Sequence, residues 1–267
     1  MDDHGQTLTS PAYWDKYWQD RALPTEIRKG QSLYLDELIE VFETYLPRNE
    51  SRTALEIGGA PGGYLAFMHR ALEYEITVLD YSELGCRMAK KNFELLDIPA
   101  VVCCGDMFEA ADRLPRFDLV FSLGLIEHFS EPERVIEAHL RFLKPGGTLM
   151  IGCPNFLGVN RAIVKRLAPS LLHSLDPEIT SIKRWSTFDS TFGLSRAFLG
   201  YVGGFEPLVA GRCESRRVQD RALWFALAQL AKILHHPATR PLRRLNAGWW
   251  SGYLLGVYRA PQEASTR

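Results

Sequence analysis

No run of apolar residues in this sequence approaches the roughly 18 needed to span a bilayer. Its start, Met1-Asp-Asp-His4, has neither a basic segment nor an apolar one to mark secretion. These absences point to a cytoplasmic protein. Cysteine is scarce: the five are Cys86, Cys103, Cys104, Cys153 and Cys213, an odd number with no CxxC pair. That argues against a disulfide framework and a zinc site, and for buried thiols in a reducing compartment with no bound metal. Charge of either sign is not in excess, because 31 Lys and Arg against 32 Asp and Glu leave a formal net charge of -1. The chain as a whole therefore has no electrostatic footprint for nucleic acid.

What the chain does have is glycine concentrated after an apolar strand. Thr53–Ile57 reads as a short buried strand, Gly58, Gly59, Gly62 and Gly63 as a tight turn, and Tyr64–Ala71 as the helix that follows. Glycines there remove the Cβ atoms that would hold a ligand off the backbone. A second strand, Glu75–Asp80, ends in a carboxylate 18 residues after Gly62, near the spacing at which an acid meets a bound ribose. A third strand, Ala100–Cys104, leads into Gly105-Asp106. A fourth, Phe117–Phe121, leads into Ser122-Leu-Gly-Leu-Ile-Glu-His-Phe129. A fifth, Thr148–Cys153, follows the turn Leu143-Lys-Pro-Gly-Gly147. Strands alternating with helices imply an α/β fold with a largely parallel sheet.

Taken in order, these motifs resemble a class I S-adenosylmethionine (SAM) dependent methyltransferase of the small-molecule type over residues 53–155. The resemblance implies a Rossmann-like, seven-stranded, mostly parallel sheet of order 3-2-1-4-5-7-6, helices on both faces, an inserted helical cap, and SAM as cofactor. It implies that Glu56 receives the cofactor's ammonium, that Gly58, Gly59, Ala60 and Gly62 approach it through the backbone, and that Asp80 takes the ribose with Tyr81 beside it. By the same resemblance Gly105, Asp106 and Met107 serve the adenine, and Ser122, Leu123 and Gly124 form a cofactor-binding turn. Ala60 departs from the family's usual middle glycine, which bears on tightness of binding. The turn also fits a G-x-A-x-x-G nicotinamide site, so an NAD(P)-binding Rossmann oxidoreductase is the main alternative. Against it, an NAD site has no cation for an acid at Glu56. A non-catalytic methyltransferase-like scaffold subunit is a third reading, opposed by the intact Glu56, Asp80 and Asp106.

Before the core, Ser10 and Pro11 signal a helix start, and Tyr13, Trp14, Tyr17 and Trp18 fall on one face. These aromatics pin the helix to the domain; in the family such a helix lies over the cofactor, which would bring Tyr13 or Tyr17 to its methionine end. Residues 33–46 read as a packing helix, as does amphipathic Glu83–Leu96, with Leu84, Met88, Phe93 and Leu96 offered to the sheet. Glu131–Leu143 is the next helix, and its His139 reads as surface or packing. After Asn155 a basic amphipathic helix spans Phe156–Leu167 and a Pro-broken stretch runs to Trp185. A helix over Leu194–Val202, a turn at Gly203-Gly204, a sixth strand over Phe205–Ala210 and a seventh over Gly252–Arg259 complete the expectation. The chain accordingly divides into N-terminal covering helices (1–50), a SAM-binding core (51–155), a helical insertion on the substrate side (156–202), and two last strands with a basic helical connection (203–267).

Methyl transfer from a sulfonium needs orientation and exclusion of water more than covalent help. A base is needed only if the acceptor must lose a proton; the candidates are His128 and His173. Glu127 reads as a structural acceptor of backbone N–H groups. The Asn/Asp-Pro-Pro-Tyr/Phe signature of amino-methylating DNA enzymes is absent after the fourth strand, which points to a small-molecule or lipid-like acceptor. Whether oxygen, nitrogen or carbon is methylated stays open, as does the oligomeric state. Residues 212–244 carry Arg212, Arg216, Arg217, Arg221, Lys232, Arg240, Arg243 and Arg244 against only Glu214 and Asp220. With the apolar run Ala222–Leu234, Trp249 and Trp250, residues 212–250 form either an ordinary packed helix or a peripheral membrane contact.

Overall fold

The computed structural model describes residues 7–19, 21–49, 51–234 and 245–262. One seven-stranded sheet has the order β3-β2-β1-β4-β5-β7-β6. Its strands are β1 (Thr53–Ile57), β2 (Glu75–Asp80), β3 (Ala100–Cys104), β4 (Phe117–Leu123), β5 (Leu143–Pro154), β6 (Ser195–Phe205) and β7 (Ser251–Arg259). The first five are parallel, and β7 lies antiparallel between β5 and β6. This is the fold expected from the motifs.

The period-two alternation of the strands divides their side chains between two cores. Ala54, Leu119, Phe121, Met150 and Val257 join one, and Leu55, Val120, Leu149, Ile151 and Leu254 join the other. Helices α2 (Leu33–Tyr45), α3 (Gly63–Leu72) and α4 (Glu83–Leu96) cover the first face with Leu38, Phe42, Leu65, Met68 and Phe93. On α4 the fully buried positions are Gly85, Cys86, Ala89, Asn92, Phe93 and Leu96, while Leu84 and Met88 are only half-buried. The second face is covered by α5 (Met107–Ala110), α6 (Pro132–Arg141), α8 (Ile182–Trp185) and α9 (Phe188–Phe192), through residues such as Val135, Ile136, Trp185 and Phe188. N-terminal to these, α1 (Pro11–Trp18) begins at Ser10, whose hydroxyl accepts from the Tyr13 N–H. A third, smaller core joins α7 (Gly158–Leu167) to α10 (Val218–Leu234).

Two expectations are corrected at β6. The stretch expected as a helix over Leu194–Val202 is strand, and Phe205–Ala210, expected as the strand, leaves the sheet after Phe205. Antiparallel pairing with β7 decides this over local propensity. Phe198 and Val202 turn to one core and Leu199 and Tyr201 to the other, a strand alternation rather than a helical face. Gly203 and Gly204 adopt φ of +89° and +55°, bulging the strand instead of turning the chain back. The helical insertion therefore ends before Ser195, and Phe205, Val209 and Ala210 pack onto α7. The cysteines are free, but of the thiols expected to be buried only Cys86 and Cys153 are: Cys103 and Cys213 are half-buried and Cys104 is exposed. Among the described residues, no helix is long and apolar enough to cross a membrane.

Candidate functional site

A cavity of about 1210 Å³ opens at the carboxyl ends of β1, β2 and β4, the place where an open α/β sheet binds its ligands. The turn after β1 builds its floor. Gly58 has a φ of +69° and donates its N–H to Leu79 O at 2.8 Å. A methyl group at Gly59 would fall 2.7 Å from Glu56 Cγ, so glycine there leaves the Glu56 carboxyl its place.

Glu56 is 2 % exposed, and its Oε2 has no hydrogen-bond partner among the described residues. Burial, then repulsion from Asp80, holds its pKa well above the ordinary carboxyl range. Asp80 is 5 % exposed and better provided for: its Oδ2 accepts from the Ala60 N–H at 3.2 Å and its Oδ1 from the Ser82 N–H at 2.9 Å. Burial still raises its pKa, with the amides opposing. Asp106 caps α5, accepting from the Phe108 N–H at 2.8 Å. Tyr81, Gly105, Met107, Leu123 and Gly124 also line the cavity.

Helix α1 forms a wall, with Tyr13 and Tyr17 on the lining. The Tyr13 hydroxyl lies 3.2 Å from Ser174 Oγ, and Trp14 meets the His128 ring edge-on at 5.0 Å between centroids. His128 is 7 % exposed. Its Nδ1–H donates to the Ser174 carbonyl at 2.5 Å, which leaves Nε2 with the lone pair. Burial depresses its pKa against the opposing carbonyl, so the ring is neutral near pH 7. Glu127 also lines the cavity, with its Oε1 3.8 Å from His128 Nε2. It does not gather several backbone N–H groups as expected: it accepts from its own N–H, its Oε2 has no partner among the described residues, and burial pushes its pKa up to about 8.

Three expected site residues lie off the lining. Gly62 has a φ of +94° and faces inward, where a methyl group would meet the Phe93 ring at 2.4 Å; it shapes the turn and packs α4. Ser122 is fully buried, its Oγ 3.0 Å from His139 Nε2, so it anchors α6. His173 is exposed: in the 3₁₀ turn Pro169–His173, Leu171 and the following Ser174 face the cavity one turn apart and His173 points away. Conversely, Tyr34, Tyr64 and Tyr253 line the cavity although no motif marks them. The hydroxyls of Tyr34 and Tyr64 are 3.4 Å apart, and the Tyr34 and Tyr253 rings are 4.7 Å apart. Burial keeps all three protonated, Tyr64 with a pKa of about 12. Only their burial in three dimensions identifies them; Tyr64, directly after the glycine turn, carried the one positional hint.

Residues 54–147 match the family described as methyltransferase domain. That stretch is a methyltransferase domain. Over 107 residues the chain is 30 % identical to a ubiquinone biosynthesis O-methyltransferase of Alkalilimnicola ehrlichii, which is 40 % of this chain and 43 % of that one. Over 108 residues it is 38 % identical to a ribosomal RNA small subunit methyltransferase G of Anaeromyxobacter sp., covering 38 % of this chain and 46 % of the relative. Each match thus spans less than half of these curated relatives. Among solved structures, a SAM-dependent methyltransferase from Thiobacillus denitrificans in complex with S-adenosyl-L-homocysteine aligns with a TM-score of 0.54 at 15 % identity, over 92 % of this chain and 97 % of that one. That likeness is one of fold. The matched stretch ends before β7, so Tyr253 from β7 and the lining residues Val209–Arg212 lie outside it.

The cavity fits a cationic nucleoside. Burial and the neighbouring Asp80 make ionisation of Glu56 costly, and an ammonium or sulfonium would relieve it.

Proposed function

We propose that the protein transfers a methyl group from SAM to a small-molecule or lipid-like acceptor. The observation that carries this reading is the unpartnered Oε2 of buried Glu56 beside Asp80 on the cavity floor. A pyrophosphate-bearing nicotinamide cofactor would add negative charge there, whereas SAM brings an ammonium. Glu56 would hold that ammonium, Asp80 the ribose hydroxyls, and Asp106 and Met107 the adenine. When bound, SAM supplies an electrophilic methyl group on a sulfonium.

The chain's own part is to orient and to exclude water. Helix α1 with Tyr13 and Tyr17 closes one side, and Val209–Arg212 close another. Tyr34, Tyr64 and Tyr253 offer hydroxyl donors inside. For an acceptor that must lose a proton, the free lone pair on His128 Nε2 would take it, while the Ser174 carbonyl holds the ring by Nδ1–H. Calorimetry tests the reading: SAM and S-adenosyl-L-homocysteine should bind, and NAD and NADP should not. Asp80→Ala should weaken SAM at least about tenfold, since each lost charge-assisted bond is worth roughly 1.5–3 kcal/mol. Tight NAD binding without SAM binding would overturn it. The scaffold reading is separated by a screen for transfer from labelled SAM to metabolite and lipid fractions.

A further inference from the structure

Helix α10 carries apolar residues on two sides, and one of them is packed into a core. Leu223, Trp224 and Leu227 pack into the core shared with α7. On the opposite side Val218, Ala222, Phe225 and Ile233 recur at spacings of four, three and eight and share a stripe interrupted by one polar residue, Gln229. Val218 is 82 % exposed, Phe225 62 % and Ile233 61 %. The outer face of a solvated helix is predominantly polar, whereas here one glutamine stands among large exposed apolar side chains.

The charges beside this stripe are of one sign. Both acids of the segment are engaged at its base. Asp220, 4 % exposed, accepts from Ser215 Oγ at 2.5 Å and pairs with Arg166 at 2.8 Å. Glu214 bonds Ser170 and pairs with Arg212 at 3.1 Å. Arg216, Arg217, Arg221 and Lys232 are exposed, as is Lys165 on neighbouring α7. A protein of net charge -1 thus collects positive charge around an exposed apolar stripe. Trp249, 56 % exposed, sits at the start of α7, where its carbonyl accepts from the Val159 N–H at 2.8 Å. Arg240, Arg243 and Arg244, which extend the basic run in sequence, lie outside the described residues.

We infer that the outer face of α10 docks on an anionic lipid surface. Apolar side chains would enter the headgroup boundary while the flanking basic residues meet lipid phosphates and carboxylates. A protein partner of matching apolar shape would not need the rim of one sign. The cavity is linked to this helix by a short connection, since Val209–Arg212 line it and residues 213–217 lead from them into α10. If the methyl-transfer reading holds, on which this last step rests, a lipid-like acceptor would enter from the bilayer.

Sedimentation with vesicles tests the docking. The full chain should pellet with phosphatidylcholine vesicles containing phosphatidylserine, at least about tenfold more than with phosphatidylcholine alone, and should be released by salt. Arg221→Glu with Lys232→Glu should abolish pelleting, and Phe225→Ser, at an exposed position, should reduce it several-fold. Equal binding to both vesicles, or no binding, overturns the inference. So does a dimer that dissociates on Phe225→Ser without vesicle binding, which would assign the face to a second copy. SAM calorimetry reads the methyl-transfer proposal separately, so either can fail while the other stands.

Discussion

Ser82 donates its hydroxyl to Asp15 Oδ1 at 2.6 Å, joining α1 to the loop that holds Asp80. The same Ser82 donates its N–H to Asp80 Oδ1 and accepts from the Gly85 N–H at 2.9 Å, so three elements meet on one residue. Asp15→Ala should leave the fold intact and loosen α1 over the cavity. SAM binding should weaken about 3- to 10-fold, as expected for one partly exposed charge-assisted hydrogen bond. Unchanged affinity by calorimetry would show that α1 covers the site without contributing to it.

His139 gives an acid limit to stability. Its Nδ1–H donates to Val135 O at 2.7 Å, so Nε2 accepts from Ser122 Oγ, and burial pushes its pKa down to about 4. Because the folded pKa lies below the unfolded value near 6.5, the unfolded chain binds the proton more readily. This contribution is fully present above about pH 6.5 and is lost as pH falls toward 4, by up to about 3 kcal/mol. Urea titrations at several pH values should show that loss, and His139→Gln should flatten it while lowering stability at pH 7.

Glu127 acts in the opposite pH range. A carboxyl raised to about 8 favours folding when protonated, so its contribution is intact below the unfolded pKa near 4.5 and is lost as pH rises through about 8. In the ligand-free protein, Glu127→Gln should be close to neutral at pH 5 and should stabilise by more than about 1 kcal/mol at pH 9. Equal effects at both pH values would mean that Glu127 is not titrating in the fold.

Strand order and most of the cavity floor were legible because their signals are local. Glycines that a tight turn requires, an acid at the end of β2 and Gly105-Asp106 after β3 each follow from neighbouring residues. Gly62 and Ser122 show where locality fails. Both sit inside motifs, yet their direction is set by partners distant in the sequence, Phe93 and His139. The β6 segment fails for a related reason, since its conformation is fixed by β7, more than fifty residues on in the chain. Tyr34, Tyr64 and Tyr253 come from three separate elements and have no shared sequence pattern. The likeness over residues 54–147 includes the glycine turn, Asp80 and Gly105-Asp106 but neither Tyr253 nor Val209–Arg212, so it bears on the cofactor and not on the acceptor.

If the proposed methyl transfer needs a base, His128 is the candidate on which it turns. Its neutral ring is held by Nδ1–H to the Ser174 carbonyl, between Tyr13 and Trp14, with Nε2 left to accept a proton. With an acceptor identified by labelled SAM, a general-base role predicts that His128→Ala lowers kcat by about 10²–10⁴ with SAM affinity near wild type. Since burial depresses the pKa, the acid limb of the pH-rate profile should lie below the ordinary histidine value and should vanish in the variant. The competing role is to hold the loop that carries Ser174 and Leu175, both on the cavity lining. That role predicts loss of SAM binding in His128→Ala and substantial recovery in His128→Gln, whose amide can still donate to the Ser174 carbonyl. Recovery of kcat in His128→Gln would therefore assign His128 to positioning, and failure of kcat with binding intact would assign it to proton transfer.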